Sequence, residues 1–187
     1  IGAEALQSVG ASTLGTTAIG YRAGKSIVNG SAGGYHTLIG WQNGQNINDT
    51  SYYTVGVGAY ALQNLTSGRD NTAVGTTAGA SLTTQNNNSL FGKQAGISLI
   101  GAENTIIGRL AGQNLTSANK NTFVGEAAGS GITTGDNNTI VGRATGLTST
   151  LANNIILADG SGNIAYQYDN ATTTTTLTGS VKGNVVV

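Results

Sequence analysis

An apolar residue followed by glycine recurs along the whole chain. The glycine falls at Gly2, Gly20, Gly40, Gly58, Gly75, Gly92, Gly108, Gly125 and Gly142, spaced by 18, 20, 18, 17, 17, 16, 17 and 17 residues. The residue before it is Ile1, Ile19, Ile39, Val57, Val74, Phe91, Ile107, Val124 or Val141, in the later copies within Asn-Thr-x-apolar-Gly. The pattern predicts a short strand with a fixed end, its apolar residue before the glycine facing inward. Three residues on comes a small residue, Ala5, Ala23, Ala61, Ala78, Ala95, Ala111 or Ala128, usually followed by a second Gly. Small side chains at a fixed offset mark a corner where backbones approach closely. Seven residues after the marker Gly lies a second apolar column, Leu65, Leu82, Leu99, Leu115 and Ile132, continued by Leu147. Polar turns such as Gly68-Arg69-Asp70-Asn71 and Gln85-Asn86-Asn87-Asn88 lead to the next strand, and their residues tolerate left-handed backbone.

A period this short cannot close its own core, so successive copies must stack as a parallel solenoid. The expected fold is all-β, a parallel β-roll of about nine short coils over residues 1–152, on the order of 40 Å long at ~4.8 Å per coil. Residues 153–187 read as a closing unit. In it Ile155-Ile156-Leu157 and Ile164-Ala165-Tyr166-Gln167-Tyr168, joined by Asp159-Gly160-Ser161-Gly162-Asn163, form a capping hairpin, followed from Thr172 by an extended connector or the start of another trimeric β-module. The long coils near the N-terminus, and Asn43 where Ala normally stands, predict local bulges or loops. Two apolar rows per coil pack thinly for a lone chain, so association of identical chains about a common axis is expected. Ile1-Gly2 falls in mid-repeat and the chain ends on Val185-Val186-Val187, which reads as a fragment of a longer protein.

The unit Asn71-Thr72-Ala73-Val74-Gly75-Thr76-Thr77-Ala78-Gly79 recurs as Asn121-Thr122-Phe123-Val124-Gly125-Glu126-Ala127-Ala128-Gly129. It resembles the head repeat of trimeric autotransporter adhesins and the repeats of bacteriophage tail-fibre and tailspike proteins. That resemblance implies a left-handed parallel β-roll, three copies packed into a homotrimer, and a structural or adhesive role. Residues Asn153 to Asn163 resemble the segment that closes such arrays in tail fibres, and no sustained heptad pattern leads into a stalk. The expectation is therefore a tail-fibre or tailspike module in the virion tail that mediates host-cell attachment. Its implied partners are two further copies of itself, other tail-fibre or baseplate proteins, and a host cell-surface glycan or protein. The alternative is the head of a bacterial adhesin on the cell surface.

Composition narrows the classes. Of 187 residues 30 are Gly, none is Pro, Cys or Met, 9% are charged and the net charge is zero. Gly without a period of three and without Pro removes collagen, and abundant Val, Ile and Thr with no net charge argue against disorder. Balanced charge gives no case for nucleic acid or an acidic membrane surface. The absence of Cys leaves no disulfide framework or soft metal site, and no apolar run nears the ~20 residues needed for membrane insertion.

Candidate chemistry is sparse. Asp70 and Glu103 share the offset five before the marker Gly, but they stand two coils apart in turns, unlike the paired acids of a polysaccharide-cleaving tailspike. His36 is the only His, too few for a metal cluster or a Ser-His-Asp site. Asp159 alone is too few hard ligands for calcium. No enzyme activity, cofactor or metal is expected. Thr66, Thr83, Thr116, Thr133 and Thr148 form a row reminiscent of ice-binding solenoids, but they flank the apolar column without a Thr-x-Thr grid and β-propensity accounts for them. The row after the marker Gly, with Tyr21, Trp41, Lys93, Arg109, Glu126 and Arg143, is polar and variable and is expected to face outward, Glu126 lying between the two arginines. Tyr21, Tyr35, His36, Trp41, Tyr52 and Tyr53 crowd into the irregular coils. They are the candidate glycan or receptor contacts, because amphipathic rings on irregular segments suit recognition. Packing at subunit contacts is the competing role.

Overall fold

The computed structural model describes residues 1–8, 15–27, 34–48 and 50–178. They contain no helix, and so none long and apolar enough to cross a membrane. Eight three-residue strands follow one another: β1 (Thr17–Ile19), β2 (Thr37–Ile39), β3 (Val55–Val57), β4 (Thr72–Val74), β5 (Ser89–Phe91), β6 (Thr105–Ile107), β7 (Thr122–Val124) and β8 (Thr139–Val141). Three longer strands end the array: β9 (Asn154–Ala158), β10 (Ile164–Asp169) and β11 (Thr174–Leu177). All lie in one sheet in chain order. β1 to β9 pair in parallel, while β10 and β11 return antiparallel. The result is a parallel solenoid of about eight turns, because the segment at Gly2 contributes a corner without a strand of its own.

Expected bulges do not interrupt the strands of the irregular coils. Thr17 pairs with Thr37 and Thr37 with Val55, each followed by two in-register partners. Residues 9–14, 28–33 and Asp49 of these coils lie outside the described residues. Asn43 is fully buried in the Ala position, and its Nδ2 donates to the Gly58 carbonyl at 2.9 Å. Space for it comes from Gly56 at the inward position of β3, where any Cβ would run into the Asn43 amide. The two departures compensate each other.

One expected orientation is reversed. The residue before the marker Gly faces outward: Ile19, Ile39, Phe91, Ile107 and Val141 are 42%, 36%, 40%, 41% and 42% exposed. The inward residue is the middle one of each strand, Ala18, Leu38, Ala73, Leu90, Ile106, Phe123 and Ile140, all 5% exposed or less. From β4 onward the cause lies two residues earlier. Asn71, Asn88, Asn104, Asn121 and Asn138 are buried, and a period of two then places the following Thr outward, the next residue inward and the apolar residue outward. The second column, Leu65 to Ile132, is buried as expected and begins earlier, at Ile27 and Ile47.

Those asparagines are a structural element that turn chemistry conceals. Asn88, Asn104, Asn121 and Asn138 each donate Nδ2 to the Oδ1 of the Asn one coil before, at 3.0 to 3.2 Å. The same Oδ1 accepts the backbone N–H of the later Asn at 2.9 to 3.1 Å. Asn154 N–H continues the ladder onto Asn138, and Gln167 of β10 caps it with a 2.8 Å bond to the Asn154 Oδ1. From Asn71 to Asn154 a chain of polarised amides satisfies each coil from its neighbour, which fixes register where three-residue strands offer few backbone bonds.

The marker glycines have a steric origin. Gly92 has φ of 134°, and a Cβ there would lie 2.5 Å from the carbonyl oxygen of Gly108 in the next coil. Only hydrogen fits between stacked backbones. The corner that follows needs two left-handed residues, for example Gln94 at φ 61° and Gly96 at φ 54°.

The closing unit extends further than a hairpin. β9 pairs with β10 with one register shift between Ile164 and Tyr166, and β11 adds a third strand, antiparallel to β10, where a connector or the start of a further β-module was expected. Asp159 holds the intervening loop. Its Oδ1 accepts the Ser161 and Asn163 backbone N–H groups at 2.9 and 3.0 Å, and Oδ2 accepts Asn163 Nδ2 at 3.0 Å. The Asn163 side chain, with those backbone bonds, holds the carboxyl below the usual range.

Candidate interaction surface

The outer face of the roll is defined by the alternation described above. The first residues of the strands make a row of mostly Thr, and the third residues make an unbroken apolar column from Ile19 through Val141 to Leu157, the last 46% exposed. Among the described residues nothing covers this column. Thr66, Thr116 and Thr133 of the other Thr row spend their hydroxyls on carbonyls of the next coil at 2.9 to 3.0 Å. They serve as another ladder, a use that β-propensity alone did not disclose.

The six singled-out aromatic and His side chains divide into three places. Tyr21 and Trp41 sit beyond the C-terminal ends of β1 and β2 with ring centroids 4.3 Å apart and planes 34° apart. The Arg22 guanidinium lies 4.9 Å from the Tyr21 ring, and Arg22 and Lys25 both reach Glu4 Oε2, at 2.8 and 2.7 Å. The Arg22 hydrogen bond, then that of Lys25, pulls the Glu4 carboxyl down to about 2.

Tyr35, Tyr52 and Tyr53 gather at the opposite ends of the strands. Tyr35 and Tyr53 stack with centroids 5.7 Å apart and planes 13° apart, Tyr52 leans on Tyr53, and Arg69 covers Tyr52 at 4.7 Å. Both stacked tyrosines have positive φ, 66° and 49°. In later coils that position holds Asp70, Asn87, Glu103, Lys120, Asn137 and Asn153, also left-handed. The conformation is strained for a bulky side chain, and two tyrosines here expose a pair of rings, 56% and 58% accessible. This row also explains the shared offset of Asp70 and Glu103.

His36 belongs to neither surface group. It is 1% exposed and occupies the inward column of the Asn ladder, where the irregular coils carry Thr16, His36 and Thr54 instead of Asn. Among the described residues its Nδ1 has no partner, nor does the Thr16 hydroxyl or the Asn43 Oδ1. A buried single residue on a repeat face could have been recognised by frame alone, since His36 stands one residue before Thr37 as Asn71 stands before Thr72.

Burial pushes the His36 imidazole down to about 4, a hydrogen bond to the Ser51 backbone opposing the shift. The unfolded chain therefore takes up this proton first. Stability contributed by the neutral ring is complete above pH ~6.5 and declines as pH falls toward ~4, by about 3 kcal/mol. Urea denaturation at pH 7.5 and pH 4.5 should show the loss, and His36→Thr, the residue type of neighbouring coils, should flatten it. A profile unchanged by that substitution would place the acid sensitivity elsewhere.

The outward row after the marker Gly is as expected, with Trp41, Thr76, Lys93, Arg109, Glu126 and Arg143 exposed. Among the described residues the ion pair of Glu126 is with Arg109, and these exposed partners add little stability. Among the described residues no group of three or more His, Asp or Glu converges as a metal site would require. Comparison with protein-family models, with curated proteins and with solved structures finds no match for the chain.

Proposed function

We propose that the chain is a self-associating fibre module of a bacteriophage tail fibre or tailspike, a structural and adhesive element in host-cell attachment rather than an enzyme. The observation that carries this reading is the exposed apolar column on the outer face of a roll whose interior is already filled. Its members Ile19, Ile39, Phe91, Ile107, Val141 and Leu157 keep 36% to 46% of their surface in water. Contiguous apolar surface of this kind marks an interface, and identical chains meeting about one axis would cover the same column on each. The resemblance of the Asn-Thr-x-apolar-Gly-x-x-Ala-Gly unit to trimeric heads and fibres supplies the number three. The closing Asn153 to Asn163 segment favours the phage setting. A bacterial adhesin head is the second reading, distinguished by a signal peptide, heptad stalk and membrane anchor in the full gene. In either setting the split aromatic groups, Tyr21 with Trp41 and Tyr35 with Tyr52 and Tyr53, are the recognition surface toward a host glycan or protein.

Light scattering of the purified chain tests the assembly. A trimer is expected, with the double substitution Ile107→Lys and Val124→Lys giving a folded monomer. A stable wild-type monomer would sink the proposal, and a trimer indifferent to the lysines would remove the column as its interface.

A further inference from the structure

We propose that the depression where the parallel roll meets the antiparallel closing strands is a binding site for a neutral saccharide. This goes beyond the fibre reading and does not depend on it.

The site follows from strand register. Thr139 of β8 pairs with Ile155 of β9, and Ile155 pairs on its other side with Tyr168 of β10. Two residues before Thr139 and Ile155 stand Asn137 and Asn153, and Asn170 donates its N–H to the Asn153 carbonyl at 3.2 Å. Two adjoining ladders of three result, Thr139–Ile155–Tyr168 and Asn137–Asn153–Asn170. Together they line a shallow cavity of about 330 Å³, at the small end of the ~300–1,000 Å³ typical of ligand sites.

The chemistry of the lining selects the ligand class. It holds three amides, one hydroxyl, one phenol ring and one aliphatic side chain, with no charged group. Asn137 Nδ2 donates to Asn153 Oδ1 at 3.1 Å, and the Tyr168 hydroxyl donates to Asn170 Oδ1 at 3.4 Å. These contacts orient the amides and leave Asn137 Oδ1, the Nδ2 groups of Asn153 and Asn170, and the Thr139 hydroxyl without a protein partner among the described residues. A fixed mixture of donors and acceptors beside an aromatic ring matches a molecule that carries hydroxyls on a ring with one apolar face. An anion would find no cation here, and a wholly apolar ligand would strip water from four polar groups without replacing it. Asn137 and Asn153 are held at φ 58° and 60°, which Asn tolerates well, so the amides are set on backbone that the stacked coils make rigid. The depression occupies the Thr edge of the outer face, across the strands from the apolar column.

The test is an NMR titration of the whole chain with lactose, cellobiose, maltose and diacetylchitobiose, with sialyllactose and sulfate as anionic comparators. At least one neutral disaccharide is expected to bind saturably. Tyr168→Ala should weaken it about tenfold, the scale of a lost aromatic contact with its hydrogen bond. Asn153→Gly, which keeps the left-handed backbone and the fold, should weaken it several-fold. Thr76→Ala, at an exposed position outside the depression and the aromatic groups, should change nothing. Absence of saturable binding by all four disaccharides, binding that survives Tyr168→Ala and Asn153→Gly alike, or binding by the anions alone would each overturn the proposal. None of these outcomes alters the oligomeric state by which the fibre reading is judged.

Discussion

Gly92→Ala is expected to destabilise the roll by about 4 kcal/mol, combining left-handed strain of ~1–3 kcal/mol with overpacking of ~1–3 kcal/mol. The new Cβ would lie 2.5 Å from the Gly108 oxygen, 2.6 Å from the Gly108 carbonyl carbon and 3.0 Å from the Arg109 nitrogen. All three are backbone atoms, so no side chain can rotate away. Relief requires the two coils to separate, which breaks the Gly108 N–H bond to Phe91 and the Leu110 N–H bond to Lys93, at 2.7 and 3.0 Å. In a solenoid each turn is held by its neighbours, and a fault in the middle leaves two shorter stacks that unfold separately. Urea denaturation at fixed chain concentration should therefore show a lower midpoint and a broadened or split transition. Gly160→Ala is the control: it has open space around it and should stay within ~0.5 kcal/mol. Equal midpoints for the two variants would mean that the marker glycines are not required by stacking.

The second large effect is expected at the centre of the Asn ladder. Asn121→Leu removes the acceptor for the Asn138 N–H and Nδ2 at 2.9 and 3.0 Å, and the donor to the Asn104 Oδ1 and the Asn119 carbonyl at 3.2 and 3.1 Å. With the site fully buried, a cost of about 3–5 kcal/mol follows from the lost bonds and the orphaned N–H. Asn121→Asp separates the ladder from turn chemistry. A turn accepts Asp as readily as Asn, but in the ladder a carboxylate oxygen would face two acceptors and carry a buried charge. Asp at this position should be at least as damaging as Leu at pH 7 and less so near pH 4, where protonation restores a donor. A variant as stable as wild type at pH 7 would return these residues to the turns.

Much of the fold was legible because the repeat states it nine times. The marker glycines, the Ala-Gly corner and the Leu65 to Ile132 column are each enforced by packing against an identical neighbour, so their spacing is visible without coordinates. Orientation was not. Phe91 and Ile107 look like core residues by hydropathy, yet the strand is three residues long, and its phase is set by the Asn two positions before its middle residue. An amide that satisfies itself from its own copies can be buried without cost to its hydrogen bonds, and no composition rule separates that amide from one in a turn. The candidate recognition residues were found by type and placed by structure. A pair and a trio of rings lie at opposite strand ends, His36 lies inside, and the depression around Tyr168 depends on a register between β9 and β10 that spans the Asp159 loop.

The sequence by itself determined that this chain stacks short parallel coils and closes them with antiparallel strands, because periodicity and steric need at glycine act locally and repeat. Only the tertiary structure decided which face is wet. That choice rests on a ladder of buried amides running from coil to coil, a contact between residues about seventeen apart that exists only once the turns are stacked. The same stacking turns the apolar residue before the marker glycine outward, and so leaves a column of Ile, Val, Phe and Leu on the outer face of the roll.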